Sequence, residues 1–172
     1  MKIRNYREED CQATYQLFYE TVQRINRHDY PPAQLAVWAK PEMGPDWHRS
    51  LAQHYSLVAE INQTIVGFGD IDQGYLDRLY VHHAYQGQGI AKALVENLEQ
   101  HASQEHRQVT VAASITAKPF FLKRGYQVVR EQQVERQGQC LTNYLMAKQL
   151  IKNEDEYGEK EANQQMTEGR ST

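Results

Sequence analysis

The chain has 172 residues, 40% hydrophobic and 24% charged, with a formal net charge of −3. That is one domain's length, enough to bury a core without disulfide or metal staples. Two cysteines without a CxxC pair, strand-sized apolar runs and a start, MKIRNYREED, without a signal-peptide core point to a cytoplasmic protein with no membrane span. Residues 152–172 carry six acidic and three basic residues, which leaves sixteen of each sign before them, so no basic face suits nucleic acid.

KIRNY reads as an opening strand. Asp10 stands where it can cap a helix whose positions Ala13, Leu17, Phe18, Thr21, Val22 and Ile25 recur at helical spacing. Pro31 and Pro32 break that pattern and hold Tyr30 extended. AQLAVWA and PDWHRSLAQH follow as short helices, the second with Pro45 in its first turn. SLVAEI, IVGFGDI and YLDRLYVH, joined by NQT and DQG, read as an antiparallel meander. Past the loop HAYQGQ, a helix carries Ile90, Ala91, Leu94, Val95 and Leu98 on one face. QVTVAAS is a strand, AKPFFLKRGY a short helix closed by Gly125, and QVVREQQVERQG and LTNYLMAKQL two strands hinged at Gly138. The order predicts an α/β domain over 1–150 around one mixed sheet. From 151 onward an acidic, disordered tail is expected, because Tyr157, Ala162 and Met166 bury too little to offset its ordering entropy.

Gly87 and Gly89 stand one residue apart at a helix entrance, although each costs a helix about 1 kcal/mol relative to alanine. Turn chemistry is one reason to have them. The other is a bare backbone, where an anion can reach the unpaired N–H groups of a first helical turn. A phosphate-binding GxxxxGK[ST] is absent. A dinucleotide fingerprint fails because Lys92 occupies its third glycine position and VTVAAS ends without an acidic residue. Residues 86–91, QGQGIA, do match Q/R-x-x-G-x-G/A after the strand LYVHHAY.

This loop resembles the acyl-CoA pyrophosphate loop of the GNAT superfamily of N-acetyltransferases. ASITAKPFFLKRGY is similar to that superfamily's second signature, and IRNYREEDCQATYQLFYETV to its first strand and helix. GYLDRLYVH and ITAKPFF resemble phrases of a branch of small bacterial members. The likeness runs from residue 1 to about 150. It implies a central mixed, mostly antiparallel, splayed sheet flanked by helices. It further implies acetyl-CoA as donor, no metal, and an amine acceptor, small molecule or peptide, attacking directly in a ternary complex. A monomer or homodimer is expected.

Carried over by position, the resemblance assigns the pantetheine arm to free backbone groups of Leu79, Tyr80 and Val81 on a bulged strand. The amides of Gly87, Gly89 and Ala91 would take the pyrophosphate, with Gln86, Gln88 and Ile90 around them. Ser114 stands where the family usually has an asparagine that bonds the pantetheine. Phe121 stands where many members have a tyrosine that protonates the departing thiolate, so that acid is missing. Tyr126 and Tyr144 are the stand-in hydroxyls to locate. The missing phenol favours, as an alternative, a non-catalytic acyl-CoA sensor; a protein-interaction domain recognising through its tail is a further one.

The acceptor amine arrives protonated and needs a base near the acyl carbon. Asp77, on the strand before the loop, is the candidate, with a salt bridge to Arg78 or Arg4 as its structural alternative and Glu60 as the next carboxylate. The backbone amide near Leu79 is placed to stabilise the oxyanion. His82 and His83, adjacent on an extended segment, should point to opposite sides. The aromatic-rich stretch from Asn26 to Tyr55 is expected to supply core and part of the acceptor pocket.

Overall fold

In the computed structural model, which describes residues 1–151, the three central apolar segments form the meander read from their alternation. Strand β1 (Lys2–Asn5) precedes helices α1 (Cys11–Arg24), α2 (Pro32–Trp38) and α3 (Asp46–Gln53). The meander β2 (Tyr55–Ile61), β3 (Thr64–Asp72) and β4 (Tyr75–Val81) leads to α4 (Ile90–Ala102), β5 (Gln108–Ser114), α5 (Lys118–Lys123), β6 (Gln127–Arg136) and β7 (Gln139–Gln149). Together the strands make a seven-stranded sheet in the order β1-β2-β3-β4-β5-β7-β6. All its pairs are antiparallel except β4 with β5. The segment expected to be a tail lies, after Ile151, outside the described residues.

Two-residue turns set the hairpin registers. Asn62 and Gln63, Gln73 and Gly74, and Gln137 and Gly138 all have positive φ, as the right-handed twist of tightly joined strands requires. One face of the sheet buries Ile90, Leu94, Val95 and Leu98 of α4. Its other face buries Leu17, Phe18 and Val22 of α1 with Leu35 and Leu51 of α2 and α3. Glycine in β3 allows α4 to come close: a Cβ on Gly67 would lie 2.9 Å from Ile90 Cγ2 and 3.1 Å from Leu94 Cδ1.

The start of α1 departs from the local reading. Ala13 is exposed, and Thr14 and Tyr15 are buried in its stead. Asp10 does not cap with its side chain; its carboxylate accepts from the Arg4 guanidinium and the Arg7 N–H. The ion pair with β1 is stronger than a neutral cap bond, and it fastens the entrance of α1 to the sheet.

Candidate active site

Strands β4 and β5 pair only through Tyr75 with Thr110 and Leu76 with Val111. Beyond that they diverge, opening a cleft of about 230 Å³ whose walls include Asp77, Leu79, Trp38, Ser114, Phe120 and Phe121. A bulge sits where the strands part: Asp70 faces Arg78 and Ile71 faces Leu76, so Asp77 has no partner on β3. One extra residue changes the side-chain alternation. Leu76, Leu79 and Val81 keep to the α4 side. Arg78 packs against Trp47 on the other side, with Asp77 beside it.

Backbone groups alternate along a strand, and here the alternation can be read from its ends. His82 N–H donates to the Val66 carbonyl, and the Tyr80 and Arg78 carbonyls abut Gly67 and Gly69 of β3. Hence Tyr80 spends its backbone on β3, and Leu79 and Val81 face the cleft. The Val81 carbonyl is also taken, by Gln86 Nε2 at 2.7 Å and Thr21 Oγ1 at 3.3 Å. Of the three residues expected to offer free backbone groups, Leu79 offers both and Val81 only its N–H. Tyr80 contributes its ring instead, packed on Phe18 and Phe68, with a phenol pushed up to about 12 by burial.

The glycine loop follows. Gly87 and Gly89 have φ of +73° and +78°, and no atom lies within 4 Å of a Cβ built on either. Both reasons for glycine therefore operate: a left-handed backbone, and open space before the first turn of α4, where N–H groups lack helical partners. Ile90 is 1% exposed and anchors the helix in the core. Ala91 borders the cleft, and Gln88 is exposed. Gln86 is exposed at the cleft edge, and its Nε2 donates to the Val81 carbonyl, bracing the end of β4. Lys92 is exposed, 3.8 Å from Glu96 one turn on.

Across the cleft, Ser114 Oγ accepts from Ala117 N–H and starts the turn into α5. Helix α5 ends as its sequence suggests. Gly125 N–H bonds to the Leu122 carbonyl and Tyr126 N–H to the Phe121 carbonyl, and the Phe121 and Tyr126 rings meet edge to face at 5.0 Å. Phe121 is 2% exposed on the cleft wall. Neither stand-in hydroxyl borders that cleft. Tyr126 donates to Glu99 and Tyr144 approaches Glu131.

Asp77 borders the cleft at its narrow end. Burial, then the nearby Asp70 charge, raises its carboxyl above the ordinary 3.8 against the opposing pull of Arg78, His54 and Arg136. Of the two arginines expected as ion-pair partners, Arg78 lies near, with Nη2 3.6 Å from Oδ2, whereas the Arg4 guanidinium binds Asp10 and Glu60. The same pairing removes Glu60 as a free base. His54 and Asp70, which join Asp77 in one cluster, were not anticipated. A carboxylate inside the apolar run IVGFGDI was a legible sign of Asp70; His54 carried none. Trp38, Asn26 and Thr21 supply the cleft wall from the helical side. His82 and His83 depart from the expected geometry: His83 begins a 3₁₀ turn, and the two rings stack 4.2 Å apart.

Residues 26–150 match the acetyltransferase (GNAT) domain family. YafP of Escherichia coli K12, an uncharacterized N-acetyltransferase, is 38% identical over 146 residues, 85% of this chain and 94% of its own. A crystal structure from Rhodopseudomonas palustris, described as a GCN5-related N-acetyltransferase, superposes with a TM-score of 0.83 at 30% identity over 87% of this chain and 95% of that one. The PaiA N-acetyltransferase of Thermoplasma acidophilum, crystallised with coenzyme A, shares the fold at a TM-score of 0.70 and 17% identity, covering 87% and 98% of the two chains.

Proposed function

The chain belongs to the GNAT family of acetyl-CoA-dependent N-acetyltransferases, and on that premise we propose how its own residues divide the work. The backbone amides of Gly87, Gly89 and Ala91, at the positive end of α4, hold the pyrophosphate. The open space at both glycines fits a group of that size. The pantetheine arm runs up the cleft against Leu79 and the Val81 N–H, with Ser114 opposite and Phe121 packed along it.

Asp77 accepts the proton that the amine must lose, and the amine then attacks the thioester carbonyl directly. The Leu79 N–H faces the cleft and is the donor placed for the developing oxyanion. With Phe121 in place of a phenol, the sulfur leaves as thiolate, which a reference thiol pKa near 8.5 permits at neutral pH. That loss is worth a factor of about 10²–10⁴ in typical acid catalysis, so the enzyme is slowed and not silenced. The acceptor enters from the helical side, over Trp38 and the Tyr80 ring. We assign the catalytic unit to residues 1–150 and place it in the bacterial cytoplasm, as a monomer or homodimer without metal. Bacterial relatives and the unpaired Cys11 and Cys140 support that setting.

The observation carrying this reading is the bulge, which leaves Asp77 without a partner on β3 and sets its carboxyl at the narrow end of the cleft. The test is a panel of amines and peptides with acetyl-CoA, read by release of free thiol, for the wild type and Asp77→Asn. The expectation is turnover on at least one amine and loss of it in the variant. Acetyl-CoA binding without thiol release on any acceptor would instead support the sensor reading that Phe121 favours.

A further inference from the structure

Asp77 sits beside a buried ion pair. Asp70 on β3 is fully buried, and both of its oxygens are occupied. Arg78 Nε donates to Oδ1 at 2.8 Å and Nη2 to Oδ2 at 2.7 Å, while His54 Nδ1 lies 2.7 Å from Oδ2. The Trp47 ring covers the guanidinium, with Cζ 4.9 Å from its centroid. The same Nη2 stops 3.6 Å from Asp77 Oδ2, beyond a hydrogen bond.

The bulge makes this spacing consequential. By turning Asp77 and Arg78 to one face, it leaves Asp77 as the next carboxylate within the cation's reach. A bidentate guanidinium on a carboxylate occupies the lone pairs that a base must offer and lowers its pKa by about 1–3 units. We propose that Asp70 is a positioning residue for the base: it holds Arg78 in a bidentate grip and so keeps Asp77 free to take the amine proton. This rests on Asp77 being that base.

Charge balance agrees. The Arg78 charge is spent first on Asp70, so Asp77 feels it only at 3.6 Å, beside the Asp70 carboxylate that opposes its ionisation. The remaining charged or titratable groups facing it are His54 at 3.9 Å, Asp72 on the far side of His54, Arg136 of β6, and Tyr75 and Tyr80 of β4. None of them holds Arg78 as Asp70 does.

The experiment compares pH profiles of kcat and kcat/KM for four variants: Asp77→Asn, Asp70→Asn, Arg78→Met and the Asp70→Asn/Arg78→Met double. Turnover is expressed per molecule that binds CoA, so partial unfolding does not enter. In Asp70→Asn the released Arg78 should pair with Asp77. The acid limb should then move down by about one pH unit and the plateau kcat fall about tenfold. Arg78→Met should move the limb upward. The double variant lacks the guanidinium that would otherwise swing onto Asp77, and its plateau should recover to within about threefold of wild type. A double variant no better than Asp70→Asn would overturn the positioning role and leave the base standing. An acid limb that persists in Asp77→Asn would overturn the base, and the positioning role with it.

Discussion

Replacing Gly89 separates the two things that its position does. The residue has φ of +78°, and a Cβ added there would meet no atom within 4 Å. Gly89→Ala therefore makes no clash, and its cost is the left-handed backbone, about 1–2 kcal/mol. In a chain this long that lowers Tm by about 2–4 °C per kcal/mol. Gly89→Glu carries the same backbone cost and sets a carboxylate in the space proposed for pyrophosphate. Two unit charges 4 Å apart repel by about 1 kcal/mol in bulk water and about 4 kcal/mol at an effective dielectric of 20. Against a group bearing two negative charges at this exposed loop, about 2–4 kcal/mol is a fair bracket, or roughly 30- to 700-fold in affinity. Isothermal titration with acetyl-CoA, alongside Tm of each apo protein, reads both effects. The two variants should share one apo Tm and differ widely in Kd. Acetyl-CoA binding to Gly89→Glu within threefold of Gly89→Ala would refute the assignment of this loop to the pyrophosphate.

Asp77 makes a second prediction, on stability. Its folded-state pKa is raised, so the folded protein keeps a proton that the unfolded chain releases. The stability it contributes is full below the ordinary value of 3.8 and is lost as pH rises through the folded-state value. Asp77→Asn should flatten that decline, so Tm relative to wild type rises from pH 4 to pH 7; an unchanged difference would contradict the raised pKa. Phe121→Tyr should raise kcat modestly, most below neutral pH, in a stopped thiol-release assay with a good acceptor, at a stability cost of about 1–3 kcal/mol if the buried hydroxyl finds no partner. Equal pH profiles in the two proteins would show that sulfur protonation does not limit turnover. Gly67→Ala should destabilise by about 1–3 kcal/mol through overpacking against Ile90, Leu94 and the Tyr80 carbonyl. Thermal melts check it, and a Tm equal to wild type would mean that α4 is free to shift.

Features that depend on neighbours along the chain are legible in its residues. Alternation predicted the meander, and Gly125 marked the end of α5. Gly87 and Gly89 marked a bare helix entrance. Each is settled within a few residues by backbone sterics or side-chain period. Features that depend on pairing between strands and on packing across the sheet emerge only in three dimensions. YLDRLYV reads as an even alternation, yet one residue of slippage against β3 puts Asp77 and Arg78 on the same face and turns the backbone of Tyr80 away from the cleft. That slippage belongs to the pair of strands and leaves no mark in either one alone. Nor could the chain order bring His54, Asp70 and Asp77 together, or fasten Arg4 to Asp10 and Glu60 and so remove it from the candidates for Asp77. These contacts follow from β1, the entrance of α1, the end of α3, β2, β3 and β4 meeting around a single sheet, where buried carboxylates must find donors and the nearest cation in space takes the role.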